Sequence, residues 1–164
     1  LPAGAARGRR AGCGRKPSRP LAQMIRSERA DIVDGPAIIE LTGVHRDDVL
    51  ALTALVYPHY FRQRTVELGR YFGIYMHGRL AAMIGERLGA PGFREMSAIC
   101  THPDFTGRGL ARRLTAMLGN DTLARGDTPF LHVSRENPRA LGLYEAMGYR
   151  HRGDIGFWAL HRAG

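Results

Sequence analysis

Cysteine and long apolar runs are both scarce in this chain of 164 residues. Its two cysteines, Cys13 and Cys100, are too few for a disulfide framework and form no Cys-x-x-Cys metal pattern, so we expect a reducing, cytoplasmic compartment. No apolar run approaches the roughly 20 residues that span a bilayer. The basic start is not followed by the apolar stretch of a secretion signal. We therefore expect neither a membrane partner nor export.

Three motifs of other protein classes are also missing. The only lysine is Lys16, which excludes a phosphate-binding loop of the Gly-Lys-Ser/Thr type. No Gly-x-Ser-x-Gly is present, which argues against a serine hydrolase. The seven histidines form no His-x-x-x-His pair, so we expect no metal site. Cys100 lies in an apolar run and is expected to be a small buried side chain rather than a nucleophile.

Acidic residues are nearly absent from the first 29 positions, where eight basic side chains accompany only Glu28. This segment supplies seven of the nine net positive charges, and the remainder, with sixteen basic and fourteen acidic residues, is almost neutral. The remainder lacks the large positive field of a nucleic-acid-binding protein, so we do not expect nucleic acid as a partner. One domain is predicted at 37–164, preceded by a basic arm at 1–36 that is disordered or a remnant. The arm is either solvated or binds nucleic acid.

Hydrophobic periodicity from residue 37 onward predicts a mixed α+β domain. Strands are predicted at 37–41, 71–76, 80–88, 95–101 and 130–133, and helices at 45–56, 62–68, 109–123 and 138–147. Short links between the strands from 71 to 101 favour an antiparallel meander. A final pair of strands is predicted within 149–160, turning at Gly153 and Asp154.

A glycine-containing loop before the predicted helix at 109–123 is the most informative local pattern. Gly107 and Gly109 let a ligand approach the main chain, where free N–H groups and the helix dipole favour an anion such as a phosphate. A plain tight connection is the alternative. A dinucleotide-binding fingerprint is excluded because Arg112 stands where its third glycine belongs.

Two motifs resemble the GNAT superfamily of acetyl-CoA-dependent N-acetyltransferases. The glycines and Ala111 of segment 106–111 fit the signature Gln/Arg-x-x-Gly-x-Gly/Ala, although Thr106 replaces the usual Gln or Arg. Six residues reproduce the family pattern Asn-x-x-Ala-x-x-Leu-Tyr-x-x-x-Gly-Phe/Tyr: Asn137, Ala140, Leu143, Tyr144, Gly148 and Tyr149. The resemblance covers roughly 37–164, and the segments ELG, GER and CTHPDF are similar to glycine N-acyltransferase-like proteins.

This resemblance implies a central, mostly antiparallel twisted sheet with one splayed parallel pair of strands, flanked by helices, and acetyl-CoA as co-substrate without a metal. The pantetheine arm would lie along the main chain of Ile99 and Thr101, with Asn137 on the other wall. The pyrophosphate would rest on the loop and helix start, with charge from Arg108 or Arg112. The loop residues assigned to the cofactor are Thr106, Gly107, Arg108, Gly109, Leu110 and Ala111.

The resemblance also assigns Tyr144 as the acid that protonates the CoA sulfur, with core packing as the alternative role. An amine must lose a proton before it attacks a thioester, so a base is needed as well. Glu95 shares strand alternation with Ser97, Ile99 and Thr101, which predicts that these four side chains point to one sheet face. Glu86, His102 and a water relay are the alternatives.

We therefore expect an N-acetyltransferase that moves an acetyl group from acetyl-CoA to a primary amine by direct attack. The alternative is a non-catalytic acyl-CoA sensor with the same fold. The amine, small molecule or peptide, is not specified by any local pattern, and a homodimer remains open. Five aromatic residues would wall the acceptor site or pack in the core: Tyr57, Tyr60, Phe61, Tyr71 and Phe72.

Overall fold

The computed structural model describes residues 13–17, 20–58 and 61–162. Its strands are β1 (Cys13–Pro17), β2 (Leu21–Ile25), β3 (Ile39–Leu41), β4 (Tyr71–Met76), β5 (Arg79–Ala90), β6 (Phe93–Thr101), β7 (Thr128–Ser134), β8 (Arg150–Ile155) and β9 (Trp158–Arg162). Its helices are α1 (Arg46–Val56), α2 (Leu110–Ala124) and α3 (Pro138–Ala146), with single 3₁₀ turns at Gly43–His45, Thr65–Leu68 and Pro103–Phe105.

Seven strands form one sheet in the order β3-β4-β5-β6-β7-β2-β8. Every neighbouring pair is antiparallel except β6 and β7, which run parallel. One face carries a core cluster that includes Val49 and Leu52 of α1. The other face packs on Leu114 and Leu118 of α2 and on Tyr144 of α3. The mixed α+β class with a mostly antiparallel sheet flanked by helices is therefore confirmed.

Local sequence chemistry accounts for several element boundaries. His77 and Gly78 connect β4 to β5 with φ values of 50° and 72°, a left-handed pair that matches the twist of a tight hairpin. Asp47 and Asp48 lie in the first turn of α1, where the helix dipole favours acids. Helix α3 begins at Pro138, and the Asn137 side chain caps it by accepting from Ala140 N.

The structure differs from the sequence-based prediction at the amino-terminal segment. Residues 21–25, assigned to the arm, form β2 in the interior of the sheet between β7 and β8. Ala22 and Met24 of this strand are each only 1% exposed. The predicted domain boundary at residue 37 is therefore wrong, since the sheet already includes residues 21–25. This strand was missed because its apolar Leu, Ala, Met and Ile form only a short run between basic and turn-forming residues.

The final pair of strands is present as β8 and β9, but the predicted turn at Gly153 and Asp154 is wrong. Strand β8 runs straight through the expected turn, with Gly153 opposite Gln23 and Asp154 opposite Ala22. Strand β9 pairs with β1 in a separate two-stranded sheet. Because β2 supplies the neighbour that β8 needs, β8 does not fold back on the next strand. A smaller difference is that the helix predicted at 62–68 is only the 3₁₀ turn at Thr65–Leu68.

Candidate active site

A cleft opens where the two parallel strands separate. Strands β6 and β7 pair only at Phe93 with Thr128, Arg94 with Pro129 and Glu95 with Phe130. Beyond Phe130, β7 pairs only with β2, which lies along its other edge. The main chain of β6 from 96 to 101 consequently has no strand neighbour on the β7 side among the described residues, so its polar groups are available to a ligand.

A bulge at Ala98 changes which side chains face this cleft. Ala98 has a φ of 51°, and the pairing of β6 with β5 shifts by one residue between Ser97 and Cys100. Met96 therefore packs on the α2 side of the sheet, whereas Cys100 packs on the α1 side. The prediction that Glu95 shares a sheet face with Ile99 and Thr101 is wrong, because one extra residue inverts the alternation.

One cavity, which we call the cofactor groove, runs along the start of α2 and the start of α3 and measures about 570 Å³. Every residue that the resemblance assigned to the cofactor lines it: Ile99, Thr101, Thr106, Gly107, Arg108, Gly109, Leu110, Ala111, Arg112, Asn137 and Tyr144. The groove also contains Arg139, which the sequence analysis did not single out. None of its lining residues is acidic, so three guanidinium groups give it a positive character.

The loop at the head of this groove is shaped to hold an anion. Gly107 and Gly109 have φ values of 78° and 73°, conformations that an L side chain rarely adopts. Gly109 precedes α2 and no side chain caps the first turn, so the N–H groups there can bind a ligand. Thr106 donates its hydroxyl to Pro103 O at 3.0 Å and so stabilises the loop from within. These features fit the pyrophosphate of CoA.

A second cavity of about 400 Å³, the acceptor cavity, meets the groove at Tyr57, Ile99 and Tyr144. Its remaining lining residues are Phe61, Thr65, Leu68, Tyr71, Arg87, Glu95, Met96, Ser97, Ala98 and His132. Tyr57 donates its hydroxyl to Ile99 O at 3.1 Å across the junction. A molecule in the groove and a molecule in the acceptor cavity would therefore meet beside these three residues.

Tyr144 is buried at this junction, with 6% of its surface exposed. Its ring packs edge-on against Tyr149, with the ring centres 5.9 Å apart. Burial raises the pKa of Tyr144 well above its ordinary value, because the phenolate would lose its hydration. The hydroxyl therefore keeps its proton at neutral pH and is able to donate it. The same packing also fits the alternative role in the core, since Tyr144 belongs to the cluster on the α2 side.

Glu95 is held as an anion by two neighbouring strands. Its carboxylate accepts from Arg87 Nη2 at 2.5 Å and Arg87 Nε at 3.0 Å, and it contacts His132 Nδ1 at 2.8 Å. Burial alone would raise the pKa of Glu95, but the hydrogen bonds from His132 and Arg87 outweigh burial and hold that pKa below its ordinary value. Glu95 is 1% exposed, yet it lines the acceptor cavity.

The two other candidate bases lie elsewhere. Glu86 faces the α2 side, where it forms an ion pair with Arg125. His102 accepts from Asp104 N at 3.2 Å through Nδ1, at the start of a 3₁₀ turn. Neither residue lines the groove or the acceptor cavity formed by the described residues. The structure therefore brings Glu95 and Tyr144 to one place and leaves Glu86 and His102 out.

Sequence reasoning missed Arg87, although it lies in the segment GER, and His132, which has no motif around it. Of the five aromatic residues, Tyr57, Phe61 and Tyr71 line the acceptor cavity, and Phe72 packs in the core on the α2 side. Tyr60 lies outside the described residues. Cys100 is buried, as expected, and burial raises the pKa of its thiol to about 12.

Residues 71–159 match the FR47-like protein family, more than half of the chain. A GNAT-family protein from Novosphingobium aromaticivorans is 36% identical, with a TM-score of 0.83 over 92% of this chain and 69% of that one. The chain belongs to the GNAT superfamily of acetyltransferases. The mostly antiparallel sheet with one splayed parallel pair is thus the GNAT fold.

More distant GNAT structures share the fold alone. A GCN5-related N-acetyltransferase-like protein from Streptococcus suis is 17% identical, with a TM-score of 0.64 over 92% of this chain and 64% of that one. The ribosomal-protein-S18-alanine N-acetyltransferase from Escherichia coli is 20% identical, with a TM-score of 0.63 over 77% of this chain and 93% of that one. Within the described residues, no helix is long and apolar enough to cross a bilayer, and no three metal-binding side chains cluster together.

Proposed function

We propose that this GNAT protein transfers an acetyl group from acetyl-CoA directly to a primary amine. The observation that carries the proposal is the junction at Tyr57, Ile99 and Tyr144, where a groove suited to an anionic nucleotide opens into a cavity with a buried carboxylate. When bound, acetyl-CoA supplies a thioester as acetyl donor. The size and aromatic lining of the acceptor cavity favour a small primary amine.

The residues of the groove divide the work of holding acetyl-CoA. The main chain of Ile99 and Thr101 has no strand partner on the β7 side and would hydrogen-bond the pantetheine arm there. The Ile99 carbonyl has two lone pairs, so the hydrogen bond from Tyr57 leaves one for the arm. The amides from Gly107 to Ala111 would hold the pyrophosphate. Asn137 uses its Oδ1 to cap α3, so its Nδ2 amide would be the group that donates to the arm.

Tyr144 and Glu95 carry the proton transfers in this proposal. Tyr144 stays protonated and donates to the departing sulfur at the junction. Arg87 and His132 use three of the roughly four lone-pair positions of the Glu95 carboxylate, which leaves one on Oε2 for the substrate ammonium or a water. Because its pKa is lowered, Glu95 is an anion at neutral pH and attracts the positively charged substrate ammonium. A carboxylate with a lowered pKa is a weak base, so in this proposal the ammonium proton reaches Glu95 through a water molecule.

The decisive test measures thiol release from acetyl-CoA in the presence of a panel of amino acids, aromatic amines and polyamines. We expect amine-dependent release of CoA, with an N-acetylated amine detected by mass spectrometry in equal amount. Calorimetry of the same preparation with acetyl-CoA provides the binding constant. Saturable binding without thiol release for any amine would instead identify a non-catalytic acyl-CoA sensor, and the absence of binding would refute both functions.

A further inference from the structure

A chain of polar side chains crosses five neighbouring strands and ends in the acceptor cavity. Arg152 of β8 donates to Gln23 Oε1 at 2.5 Å, and Gln23 Nε2 of β2 lies 3.0 Å from His132 Nε2 of β7. His132 Nδ1 lies 2.8 Å from Glu95 Oε1 of β6, and Glu95 in turn accepts from Arg87 of β5. The proposed catalytic carboxylate is thus linked to a strand that lies outside both predicted motifs.

The chemistry of these groups fixes the direction of every hydrogen bond. A guanidinium only donates, so the atom of Gln23 that faces Arg152 must be the carbonyl oxygen. The amide NH₂ of Gln23 then faces His132, and because it only donates, His132 Nε2 must accept and carry no proton. The single proton of the neutral imidazole therefore lies on Nδ1, where it is donated to Glu95.

We propose that Gln23, oriented by Arg152, is a positioning residue that fixes His132 as the neutral tautomer protonated at Nδ1 and thereby sets the proton affinity of Glu95. In this geometry a second proton on His132 would place an N–H donor against the NH₂ of Gln23, with no acceptor facing it. Glu95 consequently has one cationic partner, Arg87, rather than two. The expected effect on acetyl transfer rests on the proposed function of Glu95. The expected tautomer of His132 is independent of that function.

The surroundings of His132 contain the groups that could oppose this effect. Glu95 faces it from β6 with Arg87 behind, and Gln23 faces it from β2 with Arg152 behind. The other described contacts are aromatic, with the ring centres of Phe130 and Phe157 at 5.6 and 5.3 Å, both edge-on. The His132 side chain is only 7% exposed, so water does not easily replace Gln23 as its partner.

The test uses the full chain and three substitutions read by nuclear magnetic resonance. In the wild type, ¹⁵N-histidine spectra should show the His132 tautomer with the proton on Nδ1. In Gln23→Glu, a carboxylate replaces the donor and still pairs with Arg152, so His132 should gain a proton at Nε2. The new cation should lower the titration midpoint of the Glu95 carboxyl, followed by its ¹³C shift, by about one pH unit. The acid limb of kcat/KM should move to lower pH by the same amount.

Substitutions at two exposed positions on β8 test the proposal even if Gln23→Glu folds poorly. Arg152→Gln removes the group that orients Gln23 and should give a mixture of the two neutral tautomers. Arg150→Gln on the same strand is the matched control and should leave His132 and Glu95 as in the wild type. A wild-type proton on Nε2, or a changed tautomer with no change in the Glu95 titration, would overturn the proposal. Failure of acetyl transfer refutes only the proposed function, because the tautomer and the carboxyl titration are read without turnover.

Discussion

The cofactor groove and the acceptor cavity meet at three residues but are built in opposite ways. The groove is lined by main chain and by Arg108, Arg112 and Arg139, with no acidic residue among its lining residues. In the acceptor cavity the charges are paired with each other, because Arg87 forms an ion pair with Glu95 and His132 hydrogen-bonds to the same carboxylate. The groove is therefore suited to attract and hold a polyanion, whereas the cavity is suited to handle one proton at one place.

This difference also separates two kinds of sensitivity to substitution. Backbone amides at a helix start keep their direction whatever the neighbouring side chains are, so changes in the groove should mainly alter affinity. The cavity depends on the protonation state of individual side chains, so changes there should mainly alter turnover. Four substitutions or conditions test this division, beginning with the largest expected effect.

Glu95→Gln should lower kcat by about 100-fold or more, the usual contribution of a positioned acid or base. The amide keeps the shape of the side chain but cannot receive a proton, and Arg87 loses its anionic partner. In the wild type, kcat should decrease as Glu95 becomes protonated, at a pH below the ordinary range of a glutamate because the pKa of Glu95 is lowered. This decrease of kcat at low pH should be absent in the variant. Steady-state kinetics in a pH series that extends below the ordinary pKa of a glutamate measure both effects.

Glu86→Gln is the matched control, since Glu86 is also buried and paired with an arginine but lies on the opposite sheet face. Its kcat should equal that of the wild type at a temperature where both proteins are folded. The reverse outcome, with Glu86→Gln inactive and Glu95→Gln active, would transfer the proposed role to Glu86 and contradict the geometry of the acceptor cavity.

Tyr144→Phe should lower kcat by about 30-fold, less than the loss of Glu95, because a thiolate is a better leaving group than most. Affinity for acetyl-CoA, measured by calorimetry, should stay the same, since the ring is retained. Tyr149→Phe removes a hydroxyl of similar burial that contacts Met96 Sδ at 3.6 Å and should leave kcat unchanged. Equal kcat values for Tyr144→Phe and the wild type would leave Tyr144 with a packing role only.

The two regions also differ in how far the sequence could predict them. Most of the groove comes from three short segments near 99–101, 105–112 and 137–144, so the two local motifs and the strand that precedes the first of them were enough to predict these lining residues. The cavity joins residues that meet only through strand pairing: Glu95 and His132 are 37 positions apart, and His132 in turn contacts Gln23, 109 positions away. No local pattern specifies such a contact, because each of these residues would suit an exposed strand equally well.

The failures of the fold prediction have the same origin. The bulge at Ala98 depends on how β6 pairs with β5, so the prediction of regular alternation wrongly placed Glu95 on the same face as Ile99 and Thr101. Glu95 still reaches the cavity, but for a different reason than the sequence suggested. Strand β2 was missed because only its position between β7 and β8 buries it, and the turn at Gly153 and Asp154 was predicted because that partner was unknown.

Gly109→Ala should weaken acetyl-CoA binding by about tenfold while kcat changes little. An alanine at a φ of 73° costs about 1–2 kcal/mol, so the loop would relax and tilt the amides away from the pyrophosphate. Gly142→Ala is the matched control, because Gly142 lies within α3 and nothing lies within 4 Å of an added Cβ. This control should bind normally and melt slightly higher, and equal affinity of both variants would mean that the loop does not hold the ligand.

The smallest expected effect is that of salt concentration, which should weaken acetyl-CoA binding in the groove more than amine binding in the cavity. The Debye length falls from about 10 Å at 0.1 M salt to about 3 Å at 1 M, so the Kd for acetyl-CoA should rise about threefold over this range. The KM for the amine should change less, because Glu95 is buried beside its own cationic partner and is screened little by added ions. Calorimetry and kinetics over one salt series measure both constants. If the KM rose more steeply than the Kd, the positive field would act on the acceptor rather than on the nucleotide, and the contrast between groove and cavity would have to be reversed.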